Sequence, residues 1–266
     1  MFVFAGVIFS GQLLNPYALG QSITAFVFFC MASGLIYIIN DLQDIEQDRL
    51  HPTKRNRPLP AGLVSQKEAR IVAIFLSIAV LLSFLWEPYV GAIIWAYIII
   101  NILYAYIIKH LVIIDIISIS LGFVFRVMAG SLAVRVVPSP WMLLCTLFLA
   151  IFLALGKRSN ELDVLKENAG EHRKNLNLYN KELINQWSSI ATSMTILTYS
   201  LYTFIEYSNL WMMLTIPFTI YGLFRYQYLV AVKKLGGSPE QILSKDRPFL
   251  INALMWIVIS ISILYI

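Results

Sequence analysis

Apolar runs of about 20 residues recur along the whole chain and constrain its fold more than any other feature. Runs of this length are typical of transmembrane helices, because about 20 helical residues cross the hydrocarbon core of a bilayer. The composition agrees, since 59% of the residues are hydrophobic and only 13% are charged. A membrane β-barrel is disfavoured, because its strands give weak alternating segments of about ten residues. The sequence therefore predicts an all-α integral membrane protein.

The apolar runs divide the chain into nine predicted transmembrane helices. Their expected bounds are 1–14, 18–40, 67–86, 90–108, 111–133, 138–156, 183–206, 210–231 and 247–266. Short turns alternate with charged connections, which cover residues 41–66, 109–110, 157–182 and 232–246. We expect residues 1–266 to form a single transmembrane domain. The first run rises only about 21 Å against a core of about 30 Å, so we expect the natural N-terminus to be missing.

The distribution of basic residues predicts the orientation. Seventeen of the 20 Lys and Arg residues lie in or beside the charged connections, and only Arg135 lies near the opposite ends of the helices. Basic connections stay on the cytoplasmic side of the cell (inner) membrane. The net charge of +5 therefore reflects topology, and it requires no nucleic-acid partner.

The stretch NDLQDIEQDRLHPTKRNRPLP, residues 40–60, carries charge of both signs beside a membrane-length segment. On a helix Asn40, Asp44 and Asp48 lie at i, i+4 and i+8, so they share one face, and Asp41 lies beside it. Such a row of oxygen ligands suits Mg²⁺, which binds one or two carboxylates and shares substrate phosphates.

A basic run follows the acidic residues in the same connection. Lys54, Arg55 and Arg57 would return over the acidic face and contact phosphate oxygens, and nearby prolines would stiffen the loop. The alternative interpretation is a solvated loop of mixed charge beside the membrane.

A second charged connection begins with LGKRSNEL, residues 155–162. Lys157, Arg158 and Glu161 share a helix face, and Arg173 follows later in the connection. The alternative is an ordinary basic loop that fixes the topology.

Polar residues also occur within or beside the predicted spans. Asn101 and Tyr104 share a face near the cytoplasmic boundary, where tyrosines commonly belong to the aromatic belt. Asp115 and Arg126 share a face but lie about 16 Å apart along the axis, so they cannot pair with each other. Each needs another partner or a wet cavity, so each is a candidate site residue. For Arg126 the alternative is a structural hydrogen bond between helices.

Together these motifs resemble the UbiA superfamily of intramembrane prenyltransferases. NDLQDIEQD resembles the first Asp-rich motif of that family, and RPLPAG at residues 57–62 follows it. The nine predicted helices fit as well, as do Tyr104, Lys109, Asp115 and GFVFR at residues 122–126. The resemblance implies transmembrane helices arranged around a central cavity.

The second Asp-rich motif of that family is replaced by basic residues. LGKRSNEL, HRKNLNLY at residues 172–179 and DRPFL at residues 246–250 resemble the decaprenyl-phosphate phosphoribosyltransferase branch. The resemblance implies Mg²⁺-dependent transfer of 5-phosphoribose from phosphoribosyl pyrophosphate to a polyprenyl phosphate. A basic, tryptophan-containing segment that usually precedes the first span of this branch is not in the sequence.

The resemblance and the charge pattern together give expected roles. Asn40, Asp44 and Asp48 would hold the metal, and Asp44, Asp48 and Lys157 would serve catalysis. The expected substrate-binding residues are Asp41, Lys54, Arg55, Arg57, Asn101, Tyr104, Lys109, Arg126, Arg158, Glu161 and Arg173.

Two alternative functions remain open at this point. One is prenyl transfer from a prenyl diphosphate to an aromatic acceptor, which the missing second Asp-rich motif disfavours. The other is a transporter, which the concentration of charge in two connections disfavours. Lipid length, downstream pathway and oligomeric state are not readable from the sequence.

Overall fold

The computed structural model describes residues 2–50, 54–167, 179–207, 210–233, 242 and 245–265. Within these residues every regular element is a helix. The α-helices are α1 (Ala5–Phe9), α2 (Pro16–Gln43), α3 (Ile45–Leu50), α4 (Gln66–Trp86), α5 (Pro88–Tyr106), α6 (Ile114–Ala133), α7 (Pro140–Glu167), α8 (Lys181–Ile205), α9 (Ile216–Ala231) and α10 (Arg247–Tyr265). Short 3₁₀ helices cover Phe2–Phe4, Lys54–Asn56, Ile108–His110 and Leu210–Thr215.

Six of the described helices are long and apolar enough to cross a membrane, by length and composition. They are α2, α4, α5, α6, the Pro140–Leu162 part of α7, and α10. The chain is therefore a multi-pass, all-helical membrane protein. Helix α8 has 25 residues and α9 has 16, and neither belongs to this set.

Two predicted helices differ clearly from the structure. The expected helix at 1–14 is wrong, because the chain forms a short 3₁₀ turn and the five-residue α1. The expected end at residue 156 is also wrong, because α7 continues to Glu167. The residues after Gly156 are polar but include good helix formers and no proline, so the helix outlasts its apolar run.

The chain forms two compact units. The first holds residues up to Ile107 together with Phe125–Val136, and the second holds Ile108–Val124 and the chain from Val137 onward. In the first unit α2, α4 and α5 pack together. Phe29, Ile94 and Ile98 are among the buried side chains of its core.

Close backbone packing holds the N-terminal turn within the first unit. A Cβ atom on Gly130 would clash with the Val3 carbonyl oxygen, so glycine allows this segment to lie directly on α6. Asn15 begins α2 by accepting hydrogen bonds from the backbone N–H groups of Tyr17 and Ala18.

In the second unit α7 packs along α8, and α9 contacts both α8 and α10. Phe152, Leu155, Ile184, Leu223 and Leu229 are among the buried residues of its core. Burial of this apolar surface against neighbouring helices fixes where the polar ends of α7 and α8 lie.

Candidate active site

The acidic row at the end of α2 keeps its spacing across a helix break. Helix α2 ends at Gln43, and Asp44 has φ −96° and ψ 11° before α3 begins. The acidic row therefore does not lie on one continuous helix. However, the Asp44 N–H donates to the Asn40 carbonyl at 2.9 Å, and the Asp48 N–H donates to the Asp44 carbonyl at 2.8 Å. These i to i+4 bonds keep the three residues in register along one side of the chain.

Arg57 connects two carboxylates of this stretch. Its Nη1 atom donates to Asp41 Oδ1 at 2.7 Å and to Asp48 Oδ2 at 3.2 Å. The Asp48 side chain is only 4% exposed, whereas the Arg57 side chain is 43% exposed. The arginine therefore covers a buried carboxylate from the accessible side.

The RPLPAG stretch forms a compact turn that carries Arg57. Ala61 N–H donates to the Arg57 carbonyl, and Gly62, with φ +76°, donates to the Leu59 carbonyl. Leu59 is buried in an apolar cluster with Ile45 and Ala69. Burial of Leu59 anchors the turn beside α3, which places the Arg57 guanidinium over the acids.

The donor chemistry of this cluster fits Mg²⁺. Among the described residues no group of three His, Cys, Asp or Glu side chains converges as a closed metal site. Two carboxylate oxygens nevertheless meet at one cationic nitrogen, that of Arg57, so a cation is stabilised between Asp41 and Asp48. A small set of oxygen donors suits Mg²⁺, which takes its remaining ligands from water and substrate phosphates.

Other basic residues of this connection are exposed where the structure describes them. Arg55 is exposed, and the Lys54 side chain lies outside the described part of the structure. Arg49 and Glu46 form an exposed ion pair at 3.2 Å. Such a pair contributes little to stability.

A second charged cluster is buried in the second unit. Arg158 Nη2 donates to Asp115 Oδ2 at 2.8 Å, and their side chains are 6% and 1% exposed. Arg158 Nη1 donates to Glu161 Oε2 at 2.7 Å. The Tyr179 hydroxyl donates to Asp115 Oδ1 at 2.7 Å, and the Ile116 N–H donates to the same oxygen. We call Asp115, Arg158, Glu161 and Tyr179 the buried network.

The Tyr179 hydroxyl also accepts a hydrogen bond from Ile113, a residue with a strained backbone conformation. Ile113 has φ +73°, which is unusual for a β-branched residue, and its N–H donates to the Tyr179 hydroxyl at 3.0 Å. Burial raises the pKa of Tyr179 to about 12, and its hydrogen bond to Asp115 acts in the same direction. The hydroxyl therefore stays protonated at neutral pH and keeps donating to Asp115.

The structure separates the predicted basic residues of the second connection by exposure. Arg158 is buried, whereas Lys157 is exposed, although both were expected on one face with Glu161. Lys109 is half-buried in the 3₁₀ turn Ile108–His110. Arg173 lies outside the described residues.

Arg126 has partners within the first unit. Its Nη2 atom donates to the Tyr97 hydroxyl at 3.0 Å and to Ser33 Oγ at 3.4 Å. Its guanidinium also lies over the Tyr97 ring, 4.8 Å from the centroid. Asn101 donates to the Tyr97 carbonyl one turn earlier in its own helix, and Tyr104 is half-buried. The Asn101 side-chain amide thus donates within its own helix.

Sequence reasoning missed Tyr179 and the pair formed by Arg225 and Asp246. Arg225 Nε and Nη2 donate to the two Asp246 carboxylate oxygens at 3.1 and 2.8 Å, and Asp246 Oδ1 accepts from the Phe249 N–H at the start of α10. Tyr179 ends the HRKNLNLY motif and Asp246 begins the DRPFL motif, so these motifs were the available signal for both residues. Arg225 lies in neither motif, and the packing of α9 against α10 brings it to Asp246.

Comparison with known proteins agrees with this helical architecture. The model of the UbiA prenyltransferase family matches residues 1–240. The chain belongs to the UbiA prenyltransferase family. A UbiA homolog from Archaeoglobus fulgidus bound to GPP and Mg²⁺ has the same fold, with a TM-score of 0.73 and 18% identity over 100% of this chain and 96% of that chain.

Curated relatives in this family are more similar in sequence. A decaprenyl-phosphate phosphoribosyltransferase of Mycolicibacterium smegmatis is 36% identical over 88% of this chain and 77% of its own length. A protein of the same name from Corynebacterium glutamicum is 33% identical over 91% of this chain and 75% of its own length. This UbiA family member is thus similar to phosphoribosyltransferases along most of its length.

Proposed function

We propose that this UbiA family member transfers 5-phosphoribose from phosphoribosyl pyrophosphate to a polyprenyl phosphate, releasing pyrophosphate, with Mg²⁺ as cofactor. The observation that carries the proposal is the 33% to 36% identity to relatives named for this transfer, over about nine tenths of the chain. The basic LGKRSNEL motif supports it, because a reaction with three phosphate groups needs additional positive charge.

The proposed reaction is a substitution at the anomeric carbon of the ribose. An oxygen of the lipid phosphate forms a bond to C1 while the bond from C1 to the pyrophosphate oxygen breaks, and pyrophosphate leaves with that electron pair. The lipid phosphate is already an anion, so the step needs no general base. Positioning and stabilisation of the leaving group therefore provide the catalysis.

The acidic row would bind the donor. Asn40, Asp44 and Asp48 would hold Mg²⁺, which when bound offsets the negative charge of the pyrophosphate. Arg57, paired with Asp41 and Asp48 in the structure, would turn its guanidinium towards phosphate oxygens.

The remaining predicted residues would serve substrate binding in different ways. Exposed Lys157 is suited to contact a phosphate directly, whereas buried Arg158 would act by holding Glu161 and the end of α7 in place. The further proposed substrate contacts are Lys54, Arg55, Asn101, Tyr104, Lys109, Arg126 and Arg173.

The proposed topology is nine helices in the cell membrane, of which the first is the short N-terminal helical segment at residues 2–9, with residues 1–266 acting as one domain and the charged connections in the cytoplasm. The distribution of Lys and Arg supports this orientation. Under this proposal α8 and α9 also cross the membrane, with the buried Thr192, Thr195 and Thr198 of α8 facing protein.

A product assay tests the function. The protein is reconstituted with Mg²⁺, radiolabelled phosphoribosyl pyrophosphate and a polyprenyl phosphate, and label in the lipid phase is counted with and without EDTA. A parallel sample contains a prenyl diphosphate and 4-hydroxybenzoate. EDTA-sensitive label in the lipid phase is expected. Prenylated benzoate instead, or no product in either sample, would overturn the proposal.

A further inference from the structure

A cavity of about 410 Å³ lies between α7, α8 and α9 in the second unit. It opens beside the first turns of α8, where Lys181, Asn185, Ser188 and Ser189 line it. These positions are i, i+4, i+7 and i+8, so one face of α8 forms a polar wall. This polar face contributes to the low apolar content that sets α8 apart from the six candidate membrane spans.

The neighbouring helices complete the polar wall. Ser159 of α7 and Gln227 of α9 also line the cavity, and Gln227 Nε2 donates to Thr192 Oγ1 at 2.8 Å. Lys181 provides a cation, and the hydroxyl and amide groups provide hydrogen-bond donors. A few polar groups that converge on one cavity beside apolar side chains are typical of a ligand-binding site.

Apolar side chains of the same three helices also line the cavity. They are Phe152, Leu155, Ile184 and Val230, and the first three belong to the buried core of the second unit. A cavity lined by a cation, hydrogen-bonding groups and apolar side chains matches an amphiphile with a single anionic head.

The surrounding structure holds the cavity open in a fixed shape. A Cβ atom on Gly156 would lie 2.9 Å from the Tyr226 ring, so glycine allows that ring to lie against α7. The buried network fixes Arg158 next to Ser159, and it fixes Tyr179 two residues before Lys181. The Asp115 carboxylate therefore positions both the α7 part of the lining, through Arg158, and the residues just before α8, through Tyr179.

We propose that this cavity binds a phosphate monoester, with Lys181 contacting the phosphate and Asn185 and Ser188 donating hydrogen bonds to it. The identity of the natural ligand rests on the proposed function, which offers two phosphate monoesters: the polyprenyl phosphate and the 5-phosphate of phosphoribosyl pyrophosphate. The apolar side chains that line the cavity favour the lipid phosphate over the sugar phosphate.

The first experiment measures binding without turnover. Purified full-length protein in nanodiscs is titrated with farnesyl phosphate, farnesol, ribose 5-phosphate and inorganic phosphate, and binding is followed by tryptophan fluorescence against empty nanodiscs. Farnesyl phosphate is expected to bind at least about tenfold more weakly to Lys181→Gln, because a charge-assisted contact is lost, while Lys181→Arg retains binding. Farnesol should bind weakly to every form, since it lacks the phosphate.

A matched control and a blocking variant keep the test independent of folding. Lys67→Gln removes an exposed lysine from the first turn of α4, just as Lys181→Gln removes a half-buried lysine from the first turn of α8. The Lys67→Gln variant should bind farnesyl phosphate like wild type. Ser189→Trp adds a bulky side chain at an exposed position of the cavity lining and should prevent farnesyl phosphate from binding. Unchanged farnesyl phosphate and ribose 5-phosphate binding in both Lys181→Gln and Ser189→Trp would overturn the proposal.

Steady-state kinetics then separate the two sources of phosphate. A KM for polyprenyl phosphate that rises about tenfold in Lys181→Gln, with an unchanged KM for phosphoribosyl pyrophosphate, identifies the lipid head group, and the reverse identifies the sugar phosphate. If Lys181→Gln turns over substrate with wild-type binding and kinetics, the proposed phosphate site in the cavity is refuted, but the proposed function is not. Lys181-dependent binding of farnesyl phosphate in a protein without transferase activity would refute the proposed function alone.

Discussion

Each unit of the protein contains an arginine that binds two carboxylates, but the two clusters differ in burial. In the first unit Arg57 is 43% exposed and bridges Asp41 and Asp48 from a surface turn. In the second unit Arg158 is 6% exposed, and the buried Asp115 accepts from it and from Tyr179. The same ionic chemistry thus occurs once at an accessible surface and once in the interior.

The difference in burial predicts a difference in role. An exposed guanidinium exchanges its partners at low cost, because water and ligands replace the lost contacts. A buried guanidinium has no such replacement, so removal of its carboxylate leaves an uncompensated charge. We therefore expect the Arg57 cluster to serve ligand binding and the buried network to serve the fold.

The largest expected effect is on activity, at Asp48. Asp48→Asn removes a charge from the proposed metal ligands, and turnover should fall by at least about a hundredfold, since a metal contributes several kcal/mol to such a transition state. Initial rates with saturating substrates measure the loss. The thermal unfolding midpoint should change little, because Arg57, the partner of Asp48, is 43% exposed and stays solvated when the carboxylate charge is lost.

Glu46→Gln is the control for Asp48→Asn. It neutralises a carboxylate two residues away, whose partner is the exposed Arg49, and activity should stay within about twofold of wild type. Full activity in folded Asp48→Asn protein would remove Asp48 from the metal site. Equal losses in both variants would indicate a general effect of charge rather than ligation.

The second effect is on stability, at Asp115. Asp115→Asn leaves buried Arg158 without its main counter-charge, so the free energy of unfolding should fall by about 3–5 kcal/mol. Reversible unfolding in mixed detergent micelles measures this change. Ser118→Ala, one turn along α6, removes a hydroxyl that donates to the Ile114 carbonyl, and it should cost about 1 kcal/mol or less. Similar stabilities for the two variants would contradict a structural role for the buried network.

Tyr179 offers a smaller change within the same network. Tyr179→Phe removes the donor to Asp115 and the acceptor for the Ile113 N–H, and the free energy of unfolding should fall by about 1–3 kcal/mol. Asp115 Oδ1 still accepts from the Ile116 N–H, which limits the loss. Tyr207→Phe is a matched control, because that hydroxyl pairs with Tyr202 outside the network. The free energy of unfolding should fall less in Tyr207→Phe than in Tyr179→Phe, and a larger fall in Tyr207→Phe would contradict this expectation.

The sequence predicted the helical membrane fold and the acidic row because both depend on periodicity. Apolar runs report burial in lipid, and the i, i+4, i+8 spacing of Asn40, Asp44 and Asp48 survives even the break at Asp44. The ion pair of Asp115 with Arg158 could not be predicted, since the two residues are 43 positions apart in the sequence and meet only through the packing of α6 and α7. Asp115 was recognised only as a residue that needs a partner.

The smallest expected effect concerns the pair formed by Arg225 and Asp246. The Arg225 guanidinium holds the pKa of Asp246 below its usual range, and the Phe249 N–H acts in the same direction. A lowered carboxyl pKa stabilises the fold above the unfolded pKa of about 3.9, and the stabilisation is lost as the pH falls through the lower folded value. Asp246→Asn should therefore unfold at a slightly lower temperature than wild type at pH 7, and the gap should close below about pH 4. Unfolding curves of both proteins between pH 7 and pH 3 measure the gap, and one that persists undiminished at the lowest pH would show that Asp246 acts as a helix cap rather than through its charge.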